Sequence, residues 1–443
     1  MNRNSVMAWS MVVALGGFLF GFDTAVISGA EKSIQQFWQL SVFEHGITIS
    51  IALIGTVVGS LFGSKPSDRF GRKKTLYFVA ISYLLASLGT ALTGSWLVFL
   101  VFRFLGGLGV GASSVTAPIY ISEVSPAEKR GRMVGLFQFN VVLGILVSYL
   151  SNYLISQLGD TSWRLMLGVQ AIPSLLFLVL IYYIPESPRW LILKRGDTKT
   201  ALQILRIIDP LNAEQELTAI KASGALGAQT TNSSNLFSGR YKTPVYLAIL
   251  FAFFNQVSGI NAIIYYAPRI FEMAGLGTHS SLLSTVGIGA INFIFTLLGI
   301  NIIDKVGRRI LMLVGSVGLI VSLLLISYTF YSGEFSGFAI PVYLMVFIAF
   351  FAFSQGAVIW VFISEIFPNT VRAKGQTLGS SVHWILASVI AFIFPFLAEK
   401  LGGAVTFSFF GLMMVAQLIF VIVWMPETKG RSLEDIGAKL IIH

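Results

Sequence analysis

The 443 residues are 55% hydrophobic and only 11% charged, with a mean hydropathy of +0.80. One soluble core cannot hide that much hydrocarbon, so lipid has to be part of the solvent. The net charge of +10 does not point to nucleic acid, because the Lys and Arg sit between apolar blocks rather than on one polar face, and the absence of cysteine excludes disulfides and Cys-liganded metals.

Apolar blocks long enough to cross a bilayer, roughly 20 residues each, fall near 7–29, 46–64, 75–94, 96–118, 133–156 and 163–184, then near 244–271, 280–302, 310–331, 338–363, 377–399 and 404–425. The expectation is an all-α membrane protein of twelve spans in two six-helix bundles, 1–184 and 244–425. A cytoplasmic linker, 185–243, separates them, with short amphipathic helices at Thr198–Ile208 and Ala213–Ser223, and a cytoplasmic tail, 426–443, follows. The first block has one early Arg and a charged Asp23 inside it, which reads as a span rather than a cleaved signal.

A carboxylate within a span is costly and marks a functional site by default. The partner expected for Asp23 is Arg103 in the fourth block, ahead of the glycine-rich GGLGVG at 106–111. Two roles fit the pair: a proton site whose loading switches with access or pairing, or a static ion pair that fixes helix register.

The loop GSKPSDRFGRKK, Gly63 to Lys74, brings a carboxylate, a tight turn and several cations together and reads as a gate latch that breaks and reforms. It has a counterpart in the second half. DRFGRK from Asp68 and DKVGRR from Asp304 are offset by 236, Glu-x-x-Pro-x-x-x-Arg from Glu123 and from Glu365 by 242, and PESPRW from Pro185 and PETKGR from Pro426 by 241. Duplicated halves around a central site are how many secondary transporters alternate access. Glu123 with Arg130 and Glu365 with Arg372 are expected to complete the two latches, although topology alone also concentrates cations there. All but five of the 30 Lys and Arg fall on one side of the spans, the exceptions being Lys32, Arg164, Arg269 and Lys400 outside and Arg103 within. Both termini are therefore expected in the cytoplasm.

RFGRK at 69–73, PESPRWL at 185–191, QVSGINAIIYY at 256–266, VGRR at 306–309 and PETKGRSLEDI at 426–436 together resemble the sugar porter family of the major facilitator superfamily. The resemblance covers nearly the whole chain and is strongest to bacterial proton-coupled sugar symporters and animal facilitative glucose and fructose carriers. It implies alternating access, a monosaccharide and a proton as partners, and a bacterial plasma membrane. No cofactor, metal or nucleic acid is implied, and a monomer suffices. An acid at Asp23 goes with proton coupling in that family, although Gln170 stands where a related xylose–proton symporter has a second acid.

The resemblance places Gln138, Asn255, Gln256, Asn261, Tyr265 and Asn292 in the sugar pocket, where carboxamides both donate to and accept from a neutral polyol. Trp360 and Trp384 supply flat apolar faces. His383 is either a pocket residue or a satisfied core histidine. Besides the acids and cations already named, Arg69, Arg72, Glu186, Arg189, Arg308 and Glu427 belong to the gate motifs. Symport and facilitated diffusion both remain open at this point, with a non-transporting sugar sensor as the distant alternative, and the enzyme classes find no nucleophile, base or phosphate loop in a recognisable arrangement.

Overall fold

The protein was analysed as a computed structural model, which describes residues 3–126, 130–159, 162–229, 236–335, 337–368 and 371–430. Among them, twelve helices are long and apolar enough to cross a membrane. Six precede the linker: α1 (Ser5–Phe37), α2 (Val42–Phe62), α3 (Arg72–Leu92), α4 (Trp96–Val124), α5 (Arg132–Leu158) and α6 (Ser162–Tyr183). The linker contributes α7 (Thr198–Ile208) and α8 (Ala213–Gln229). Six more follow: α9 (Gly239–Met273), α10 (Thr278–Val306), α11 (Arg308–Ser332), α12 (Ala339–Glu365), α13 (Lys374–Lys400) and α14 (Gly402–Val423).

The spans differ from the apolar blocks where polar residues find partners. Helix α1 runs on from Gly29 to Phe37 because Glu31 and Lys32 are paired rather than left facing lipid. Helix α4 likewise passes through Pro118 to Val124, its terminal acid Glu123 being held by a guanidinium. Helix α9 is broken rather than continuous: Lys242–Val257 and Ile260–Met273 meet at Ser258 and Gly259, whose N–H groups donate to the Phe254 and Gln256 carbonyls at 3.2 and 3.1 Å. The apolar windows of α1 and α9 are 67% and 72% buried, against 28% for α10. These two spans are thus the more withdrawn from lipid.

Packing divides the chain into two compact units. The first comprises residues 1–24, 54–148 and 164–233. Its linker helices have a small core of their own, in which Trp190, Leu191 and Ile192 pack on Ala201, Leu205 and Ile220, and Asp197 caps α7 by accepting from the Thr200 N–H at 3.0 Å. The second unit comprises residues 25–53, 149–163 and 234–443, of which the part after 430 lies outside the described residues. Its core includes the stacked rings of Phe251 and Phe362, 5.0 Å between centroids.

Candidate functional site

The gate motifs form two constellations of the same design. Helices α3 and α11 start after Gly71 and Gly307, whose φ values of 99° and 102° lie where only glycine is unstrained. Glycine has no side chain to cap the exposed N–H groups of the first turn, and a carboxylate from far along the chain does so instead. Glu186 accepts from the backbone N–H of Arg72 at 2.9 Å and of Lys73 at 3.2 Å. Glu427 accepts from those of Arg308 and Arg309, each at 3.0 Å. A Cβ at either glycine would lie within 2.6 Å of that carboxylate.

Each arginine then forks onto a second acid. Arg72 donates from Nε and Nη2 to the two oxygens of Glu123 at 3.0 and 3.1 Å, and from Nη1 to Asp68 at 3.0 Å. Arg308 donates to Glu365 at 3.2 and 2.8 Å and lies 2.9 Å from Asp304. One of the two expected pairings is different. Glu365 is engaged by Arg308 rather than Arg372, whose Nε donates to the Phe367 carbonyl, and Glu123 is engaged by Arg72, the side chain of Arg130 lying outside the described residues. The planar fork explains the exchange, since an arginine held at a helix start presents two parallel N–H groups to one carboxylate. Arg69 and Arg189 are exposed.

Although built alike, the two capping acids are tuned oppositely. Burial pushes the Glu186 carboxyl above its ordinary range despite the N–H groups of Ser187, Lys73 and Arg72. Burial also works against Glu427, but the backbone N–H groups of Lys429, Arg308, Arg309 and Thr428 outweigh it and hold the carboxyl below that range.

Within the first unit, Asp23 and Arg103 are 4% and 3% exposed, and Arg103 Nη1 donates to Asp23 Oδ1 at 3.3 Å. The contact is single: Arg103 Nε and Nη2 are buried without a hydrogen-bond partner. Gly106, one turn along α4, leaves the carboxylate room, a Cβ there standing 3.4 Å from Oδ1. Gln170 is buried in α6 with its Nε2 unpartnered. Gln138 is half-buried on α5.

The second unit gathers the carboxamides at the break of α9. Gln256 Nε2 donates to Asn255 Oδ1 at 2.9 Å, and Asn261 Nδ2 donates to Gln256 Oε1. Gln256 Nε2 also lies 3.1 Å from His383 Nδ1 and 3.4 Å from His383 Nε2. The His383 ring sits between two indoles, 4.9 Å from Trp360 and 4.8 Å from Trp384 between centroids. Trp360 is 37% exposed, so one face of this amide and aromatic cluster is open. Tyr265 on α9 and Asn292 on α10 are buried. The arrangement offers a neutral ligand several donors and acceptors and a flat apolar wall, with no charge.

One group was not anticipated from sequence. Glu31, His45 and Arg269 meet in the second unit, with Glu31 and His45 fully buried. The signal for it was weak: Arg269 reads as an ordinary boundary cation and His45 as one of four scattered histidines.

Comparison with known proteins gives the family. The family described as sugar (and other) transporter matches residues 9–440. The arabinose–proton symporter of Bacillus subtilis (strain 168) is 38% identical over 97% of this chain and 94% of its own. The D-xylose–proton symporter of Escherichia coli (strain K12) is 34% identical over 99% and 96%. The xylose transporter of E. coli in an inward-open conformation superposes with a TM-score of 0.87 at 32% identity, covering 98% of this chain and all of that one. A family match across nearly the full length, the twelve spans and the duplicated latches lead to one conclusion: this chain belongs to the sugar transporter family.

Proposed function

We propose that the chain is a proton-coupled monosaccharide symporter, taking up a hexose or pentose by alternating access. The observation that carries this reading is the buried Asp23–Arg103 pair inside the membrane, since a carboxylate held there by a single contact can change its proton occupancy as access changes. The amide and aromatic cluster of Asn255, Gln256, Asn261, Trp360, His383 and Trp384 supports a neutral polyol as cargo, with Tyr265, Asn292 and Gln138 as further contacts. Relatives named as proton symporters for arabinose and xylose support both substrates.

Residues 1–184 and 244–425 act as the two moving halves, the linker 185–243 and the tail lie in the cytoplasm, and the chain works as a monomer in a bacterial plasma membrane. The latches Arg72–Glu123 and Arg308–Glu365 close the cytoplasmic side.

Uptake of labelled sugar into proteoliposomes, with and without an imposed proton gradient, tests the reading. The wild type accumulates sugar only with the gradient, whereas Asp23→Asn exchanges sugar across the membrane but does not concentrate it. If Asp23→Asn still concentrates sugar, Asp23 is not the coupling acid; if the wild type never does, the chain is a facilitative carrier. Competition by a panel of hexoses and pentoses identifies the sugar.

A further inference from the structure

Eight residues along α1 from Asp23, or about 12 Å of helix, Glu31 is buried in the second unit with 1% of its side chain exposed. Arg269, on the second helix of α9, donates from Nε to Glu31 Oε1 at 3.0 Å and places Nη2 2.9 Å from Oε2. Its Nη2 also donates to Gln35. His45, near the start of α2 and 0% exposed, has Nε2 2.8 Å from the same Glu31 oxygen, and neither of its buried ring nitrogens has a hydrogen-bond partner of good geometry. The charged and titratable groups facing this cluster come from three elements: Glu31 and Lys32 from α1, His45 from α2, and Arg269, Glu272 and Tyr266 from α9. The fourth neighbour, α13, presents the Ala391 carbonyl, which accepts from Tyr266 Oη at 2.9 Å, and the uncharged Phe392 and Phe394 against Gly46 and Tyr266. Glu44 is turned away onto Ser41.

We propose that Glu31, His45 and Arg269 form a second proton-binding site, distinct from Asp23, which ties the outer ends of α1 and α2 to α9 and lets go when His45 is protonated. With His45 neutral, one carboxylate balances one guanidinium and the cluster carries no net charge. A proton on His45 sets two cations against that one carboxylate, leaving a net positive charge away from water. Such a charge is expensive where it is buried and is relieved when the helix ends separate and hydrate. Histidine is the side chain that makes this change near neutral pH. Acid on the outer side therefore favours opening toward that side. The Lys32–Glu272 pair, 2.5 Å long, lies at the more exposed rim. The designation of this side as outer rests on the orientation given under Proposed function; the site itself does not.

The chain has no cysteine, so one introduced thiol reports access without background. The test uses full-length protein in liposomes, with Ala30→Cys as reporter beside Glu31 and Asp23→Asn to remove the coupling proton. A membrane-impermeant maleimide is applied at outer pH values from about 8 to about 6, the range in which histidine titrates, and rates are corrected for free cysteine at the same pH. Labelling is expected to rise as pH falls, by up to about tenfold per pH unit, the limit for one proton. His45→Gln should flatten the dependence and Arg269→Gln should raise labelling at every pH. His45→Asn serves if His45→Gln does not fold. A pH-independent rate with His45 present, or an undiminished slope in both His45 variants, overturns the proposal. The readout needs neither sugar nor a gradient, so a failure of symport leaves it standing and its own failure leaves symport standing.

Discussion

Arg103 holds Asp23 through Nη1 alone, with its other two guanidinium nitrogens buried and unpaired. A single contact is easier to part than a fork, which suits a pair that must exchange a proton. Removing the cation is another matter, because it strands a carboxylate in a dry site. Arg103→Gln is expected to destabilise the protein by about 3 to 5 kcal/mol, and Asp23→Asn combined with Arg103→Gln should recover most of that loss. Thermal unfolding of the four proteins in a double-mutant cycle measures the coupling; additive losses would mean that the two side chains do not sense one another. At this scale Asp23 is legible in sequence because a carboxylate inside an apolar run is costly and demands a partner. Glu31, His45 and Arg269 are not, because each lies at a span boundary where charge is ordinary, and Arg269 comes within 3.0 Å of Glu31 only through folding across 238 residues.

Two helices, α3 and α11, begin on a glycine and take their caps from Glu186 and Glu427. The repeated motifs announce that acids and bases meet at these ends, yet not which acid caps and which forks, since cap geometry depends on a backbone turn that spacing alone does not specify. The opposite tuning of the two acids separates the helices experimentally. Glu427 is held below the usual carboxyl value of 4.5, so the stability it contributes is present above that pH and is lost as pH falls through its depressed value. Glu186 is raised above 4.5, so its contribution is complete below that pH and shrinks as pH rises through its elevated value. At neutral pH Glu427→Gln should therefore cost more than Glu186→Gln, by on the order of a helix cap, about 1 kcal/mol. Toward pH 4 the Glu427→Gln deficit should narrow while the Glu186→Gln deficit does not. Unfolding midpoints of the purified variants across that range decide it, and parallel behaviour of the two would refute the assignment.

Over the whole molecule, duplication and packing cut the chain in different places. The motif offsets of 236, 242 and 241 residues mark two equivalent halves, and the latches repeat the forked arginine–glutamate pairing of that register. Packing instead groups residues 25–53 and 149–163 with residues after 234. The cause lies in contacts such as Glu31 with Arg269 and the Tyr149 hydroxyl donating to the Ile264 carbonyl at 2.8 Å. Hydropathy makes the twelve spans legible because bilayer thickness fixes their length; it says nothing about which helix ends pair in one state of a moving protein. What such a protein can achieve is set by its coupling. One proton driven by about 100 mV releases about 2.3 kcal/mol, and one pH unit adds about 1.4 kcal/mol. At tenfold per about 1.4 kcal/mol, a tightly coupled one-to-one symporter concentrates sugar several hundredfold. The ratio of internal to external labelled sugar in proteoliposomes under those gradients should approach that ceiling for the wild type and fall to unity for Asp23→Asn. A wild-type ratio far above the ceiling requires more than one proton per sugar, and a ratio of one in the wild type removes the coupling altogether.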